Sequence, residues 1–395
     1  MNEQKNMRIS IHCILACLYF LLLPTTIAVN SAGNSFLKLA TVPIAIYFVV
    51  MIIFSKQVLR FNAVHLLLCL YTFSTLITLF VNHEGSSIDT VIGYFLNAAL
   101  YLCLTVVTYN RRELLLLENV QVFLLLVLVM ITLFSNGSMF DRTTLEIFGQ
   151  ASDPNYFVGF FIFPLSITLK KIVHSRYRIF YIILFFLSLY CVFLSGSRGG
   201  LIAVITSIVA FALIYPPKFR NKFFVLVAGC SFIMLVWFIL VPFLPENIID
   251  RMSVSQVIET GGTGRWDIWK SMLKDIVDSP DKLLLGRGIN SVHGIFLEGK
   301  WEGVVAHDQL IQVLYNQGVV GLIAFTLLTV GCLLRCIGRR KAVAVAIVGM
   351  MALSISLSFN PTTRTFWNLV AYAAFDFSEK EGHIFVKSLK SPEED

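Results

Sequence analysis

The chain has 395 residues, of which 57% are hydrophobic and only 14% charged, and its formal net charge is +7. Soluble domains carry about 25% charged residues, so a composition this apolar excludes a water-soluble globular enzyme and makes lipid the solvent. The positive balance calls for no nucleic acid, because the basic residues gather in alternate short loops, as they do in membrane proteins.

A hydrocarbon layer of ~30 Å takes about 20 apolar residues of helix to cross. Twelve stretches approach that length: Ile11 to Val29, Phe36 to Phe54, Asn62 to Val81, Ile88 to Thr108, Leu114 to Phe134, Pro154 to Leu169, Ile179 to Leu194, Leu201 to Tyr215, Phe223 to Phe243, Leu310 to Leu334, Ala342 to Phe359 and Thr362 to Phe377. The first lacks a small-residue cleavage site and reads as a retained span. With the N-terminus inside, 20 of the 31 Lys and Arg residues fall on the cytoplasmic side and 11 on the other. That bias sets the orientation. The predicted fold is all-α, a polytopic bundle of about 12 transmembrane helices: spans 1–9 over 1–243, a long extracytoplasmic loop over 244–306, spans 10–12 over 307–377 and a cytoplasmic tail over 378–395. All eight cysteines lie in or at the ends of spans, so no disulfide framework is expected.

Polar residues inside or beside spans are the functional suspects. Glu118 lies within the fifth span, six residues past Arg112, where an interfacial position suits it as well as a buried one. Asp153, Pro154 and Asn155 read as a helix start, with Asp as cap and Pro in the first turn. "SGSRGG", residues 195–200, puts Arg198 on the outer side, against the charge bias, among glycines that let backbone approach a bulky phosphate. In the long loop, Trp266, Trp269, Met272, Leu273, Ile276 and Val277 share one face of an amphipathic helix that starts at Thr263 or Gly264 and ends at Pro280. Its tryptophans suit the membrane interface, and Arg265 in its first turn can point away from lipid. "GRGINSVHGIF" follows with Arg287 and His293. His307 and Asp308 then open the tenth span, where Gly318 and Gly321 would let another helix approach. The seven histidines are scattered and no carboxylate pair is spaced as a DxD site, so no metal and no cofactor is expected.

"SGSRGG", "GTGRWDIW", "LLGRGINS" and the pattern His307, Leu310, Gly318, Gly321, Leu322 together resemble the O-antigen polymerase and O-antigen ligase family of bacterial membrane glycosyltransferases. The likeness covers most of the chain from Asp153 onward. Asp308 departs from it, since the family commonly has Asn or Ser after the histidine. The resemblance implies a multi-pass protein of the bacterial inner membrane, active on its extracytoplasmic face, that moves a glycan from an undecaprenyl-diphosphate-linked oligosaccharide to an acceptor glycan. Membrane lipids and a chain-length regulator are the further partners implied. Polymerisation of repeat units into O-antigen, capsule or exopolysaccharide is the first reading, and ligation to a lipid A core the second. On this view His307 is the catalytic base, Arg198, Arg265 and Arg287 bind the diphosphate, and Asp308, Asn155 and Trp266 are accessory. Guanidinium forks suit that role because they pair bidentately with phosphate oxygens.

A lipid-linked oligosaccharide transporter would line several spans with charge and often repeat its halves, and this sequence does neither. An intramembrane protease built on Ser197 and His307 would lack a buried serine. The charge split predicts that a topology reporter fused after Gly299 reads extracytoplasmic and one after Arg340 cytoplasmic. The reverse result at both positions overturns the orientation.

Overall fold

The computed structural model describes residues 9–27, 36–54, 59–83, 86–134, 138–139, 142–147, 150–215, 241–252, 265–291, 293–297, 300–354 and 363–377, with the separate positions 223, 227, 234, 238–239 and 361. The ninth predicted span, the start proposed for the loop helix at Thr263 or Gly264, and the tail lie largely or wholly outside them. Fourteen helices carry the described chain. They are α1 (Ile11–Leu21), α2 (Phe36–Phe54), α3 (Ala63–Val81), α4 (Ile88–Val106), α5 (Arg111–Phe134), α6 (Pro154–His174), α7 (Arg178–Leu194), α8 (Arg198–Ile214), α9 (Glu246–Met252), α10 (Arg265–Val277), α11 (Pro280–Leu285), α12 (Gln309–Arg339), α13 (Lys341–Leu353) and α14 (Arg364–Ala374). Among them α3, α4, α5, α6 and α12 are long and apolar enough to cross a membrane. The chain is a helical multi-pass membrane protein.

Several elements depart from the sequence reading for identifiable reasons. The first span stops at Leu21 and continues as a 3-10 turn over Leu23–Thr26, because Pro24 offers no N–H to an α-helical ladder. Among the described residues, the helices within the last two predicted spans have 13 and 11 residues, about 20 and 16 Å at 1.5 Å per residue. Short strand pairs interrupt the all-helical expectation: β2 (Ser138–Met139) with β3 (Arg142–Thr143), β4 (Glu146–Ile147) with β5 (Gln150–Ala151), β6 (His293–Leu297) with β7 (Lys300–Val304), and β1 (Thr108–Tyr109) parallel to β8 (Asp376–Phe377).

The bundle core is aromatic. Trp367, Tyr101, Phe366, Phe325 and Tyr19 are almost wholly buried, with Tyr101 stacked on Trp367 at 5.6 Å. Because lipid offers no hydrogen bonds, polar side chains here find partners in protein. Gln121 of α5 donates to Tyr372 Oη of α14 at 3.1 Å, and that hydroxyl donates to Leu117 O at 2.6 Å. Glu118, the acid singled out in the sequence, forms an ion pair of 2.6 Å with Lys170 of α6. At the same end Glu113 accepts from Ser10 and caps the approach of α1, and Arg335 pairs with Asp376 at 3.2 Å.

The opposite end is organised by a break in α12. Gly318 takes φ +66°, splitting the helix that the sequence reads as one continuous span. A Cβ at Gly318 would overlap the carbonyl of Leu284, so the glycine lets the backbone of α11 come close. The break turns the carbonyls of Tyr315 and Asn316 to the loop, where they accept from the N–H groups of Arg287 at 2.8 Å and Gly288 at 3.0 Å. Ser87 N–H donates to Ile289 O at 2.8 Å, and Asn82 Nδ2 to Gly286 O at 3.0 Å. The long loop is thus stitched by its backbone to both α12 and the α3–α4 turn. Gly318→Ala should therefore lower the unfolding temperature of the purified protein and expose the loop to protease, at a cost of about 2 kcal/mol or more from positive φ and overlap combined. An alanine variant as stable as the parent contradicts this account.

Candidate functional site

Four segments meet at the end where the loop is stitched. The first is the start of α6, where Asp153 Oδ1 accepts from Asn155 N–H at 2.7 Å and Tyr156 N–H at 3.4 Å. Asn155 Oδ1 in turn accepts from Ser197 Oγ at 2.6 Å, and Ser197 Oγ caps α8 by accepting from Gly200 N–H at 3.0 Å. One serine therefore joins the α6 start to the "SGSRGG" turn. The turn is held from its other side by Arg142, 7% exposed on β3, whose Nε donates to Ser195 O at 2.7 Å. Gly196 takes φ +57° there, and a Cβ at Gly200 would press on Val158 of α6 at 2.7 Å. Gly200 thus serves the α6–α8 contact. Arg198, half-buried, is the first residue of α8.

His307 sits one residue before the cap of α12. Asp308 Oδ1 accepts from Ile311 N–H at 3.0 Å, which makes Asp308 the helix cap and accounts for its place beside the histidine. His307 has φ +49°, a left-handed conformation that costs a residue with a Cβ about 1–2 kcal/mol. Its side chain is exposed to solvent. Loss of part of its hydration and the charge of Arg265 hold its pKa below the ordinary imidazole value, while Asp153 pulls the other way. Arg265, the first residue of α10, and Asp153, the cap of α6, are thereby brought within electrostatic reach of His307 across gaps of 42 and 154 residues in sequence. A neutral imidazole beside a guanidinium can accept a proton from a hydroxyl while an anion binds next to it.

Residues 183–326, little more than a third of the chain, match the family model described as O-antigen ligase. That stretch is similar to the O-antigen ligase family. It runs from α7 through the broken half of α12 and contains Arg198, Arg265, Arg287 and His307. No curated protein matches the chain.

The other members of the site predicted from sequence fall into different places. Arg287 is engaged within the loop: its Nη2 donates to Asp275 Oδ1 at 2.6 Å and Ser279 Oγ at 2.9 Å, and Tyr315 Oη donates to Asp275 Oδ2 at 3.1 Å. Trp266 is 68% exposed and meets Trp269 edge-on at 5.3 Å. His293 opens β6. Among the described residues no group of three His, Cys, Asp or Glu side chains converges. Sequence reasoning missed Arg142, although its place among the 11 basic residues on the side predicted to be outer was the same signal that raised Arg198. It also missed Trp269 and Gln312 as polar partners, for which no sequence signal existed.

The charges around His307 fix the direction of a pH response. If the neutral imidazole is the active form, activity falls as pH drops through a pKa lying below about 6.5. Arg265→Gln removes the positive neighbour and should move this acid limb to higher pH; Asp153→Asn should move it lower. Rate profiles of both variants test the assignment, and two limbs that coincide with the parent's refute it.

Proposed function

We propose that the chain transfers a glycan from a polyprenyl diphosphate carrier, of the undecaprenyl type, to a hydroxyl of an acceptor glycan. The observation that carries the proposal is the electrostatic coupling of His307 to Arg265, both inside the segment that matches the O-antigen ligase model, and to Asp153 at the start of α6. In the reaction the acceptor oxygen bonds to the anomeric carbon, the bond from that carbon to the carrier diphosphate breaks, and His307 takes the acceptor proton. The departing diphosphate gains negative charge, which Arg265 and Arg198 offset with charge-assisted hydrogen bonds. Arg287 already pairs through Nη2 with Asp275, an ion pair with which a diphosphate would compete. On this reading no metal is required, because guanidinium groups supply the positive charge.

The proposed setting is the bacterial inner membrane with the site on the extracytoplasmic face, supported by the excess of basic residues in the loops at the other end. The acceptor is proposed to be a second lipid-linked repeat, which makes the product a lengthened polymer. The description of the matched family favours the alternative, ligation to a lipid A core. Incubation of purified protein with a lipid-linked donor and either acceptor separates the two: a ladder of longer lipid-linked chains means polymerase, a core-linked product ligase. With the active acceptor, His307→Ala should bind donor but turn over about a hundred- to ten-thousandfold more slowly. Arg198→Lys should be nearly as impaired as Arg198→Ala, since lysine keeps charge without the fork. EDTA should leave the rate unchanged. Parent-like turnover by His307→Ala, or loss of activity in EDTA, overturns the mechanism.

A further inference from the structure

The residue before His307 is held more tightly than any cap requires. Ala306 is fully buried, and both of its main-chain polar groups are taken by side chains from two different helices. Its N–H donates to Gln312 Oε1 of α12 at 2.8 Å, and its carbonyl accepts from Trp269 Nε1 of α10 at 2.6 Å. Gln312, itself buried, is fixed at its other end, where Nε2 donates to Ser291 O at 3.3 Å and lies 2.9 Å from the Asn316 side-chain amide. Trp269 is seated by a small apolar cluster separate from the bundle core, in which Met272, Ile276, Ala306 and Tyr315 are buried together. On the other side of His307, Asp308 is pinned as the cap of α12. The histidine thus spans two fixed points in a backbone conformation unfavourable to any side chain. Without the grip on Ala306, rotation of that peptide would let His307 relax to negative φ and carry its ring away from Arg265.

We infer that Trp269 and Gln312 are positioning residues for His307: acting on the Ala306 main chain and touching no substrate, they hold the histidine in its left-handed conformation with its ring at the site. The inference rests on the reading of His307 as the general base. It also assigns the two tryptophans of "RWDIW" different tasks, Trp266 facing outward and Trp269 serving the site through its indole N–H.

The test uses the full-length protein with lipid-linked donor and acceptor, measuring kcat, donor KM and unfolding temperature. Trp269→Phe keeps an aromatic ring and removes the donor; Gln312→Met keeps the volume and removes the acceptor. Each should lower kcat about ten- to a hundredfold, with donor KM within about twofold of the parent, since displacement of a catalytic group by about 1 Å costs this much. Placed in a His307→Ala background, both substitutions should leave the residual rate where His307→Ala alone puts it. Parent-like kcat in both variants, with His307→Ala impaired, discards the clamp and leaves the base assignment standing. Further loss in the His307→Ala background, in parallel with lower unfolding temperature and raised KM, marks a general structural role and also discards it. Parent-like turnover by His307→Ala itself removes the base reading, and the inference with it.

Discussion

The backbone break at Gly318 is the constraint on which the site depends. An unbroken α12 would keep the carbonyls of Tyr315 and Asn316 in its own ladder and leave the segment around Arg287 and Gly288 without acceptors. With the break, two donors of the loop are satisfied by the helix, and the glycines at 286 and 318 allow the two backbones to touch. Non-helical backbone near a membrane survives only where protein satisfies it. The loop is therefore part of the folded bundle, and α10, which carries Arg265 and Trp269, is delivered to the first turn of α12 as a consequence.

Charge and conformation at the site work in one direction. Partial burial and the charge of Arg265 lower the pKa of His307, and Asp153 opposes them. The strain at His307 is tolerated because Ala306 and Asp308 are both anchored. Protein around a reactive group commonly supports conformations the chain would not choose alone. The same logic places Arg287 outside the inner group: Asp275, Ser279 and Tyr315 form a network that ties α10, α11 and α12 together, and the arginine is its hub.

The two ends of the bundle differ in how they are held. One is closed by charge and a short parallel strand pair, with Glu118–Lys170, Arg335–Asp376 and the β1–β8 contact. The other is closed by hydrogen bonds between loop, turn and helix break.

Sequence alone determined what lipid demands. Apolar runs of membrane length, the sparse charges and the cap at Asp153 are local properties, and the helices from α2 to α8 begin and end close to where those runs do. His307, Arg198 and Arg265 stand out in the sequence as candidates, since charge on the side predicted to be less basic calls for a reason and a motif gathers residues in a small stretch. Tertiary structure decided what depends on partners distant in sequence. Nothing in "HDQLIQVLYNQGVVG" says that Gly318 breaks the helix, because the reason is the carbonyl of Leu284 on another element. Nothing in "GRGINS" says that Arg287 is turned to Asp275, and nothing marks Trp269 or Gln312, because each is defined by an Ala306 main-chain group that every residue type would offer equally. Hydrophobic patterning is written in side chains and can be read; main-chain hydrogen bonds between elements are not, and they arrange this site.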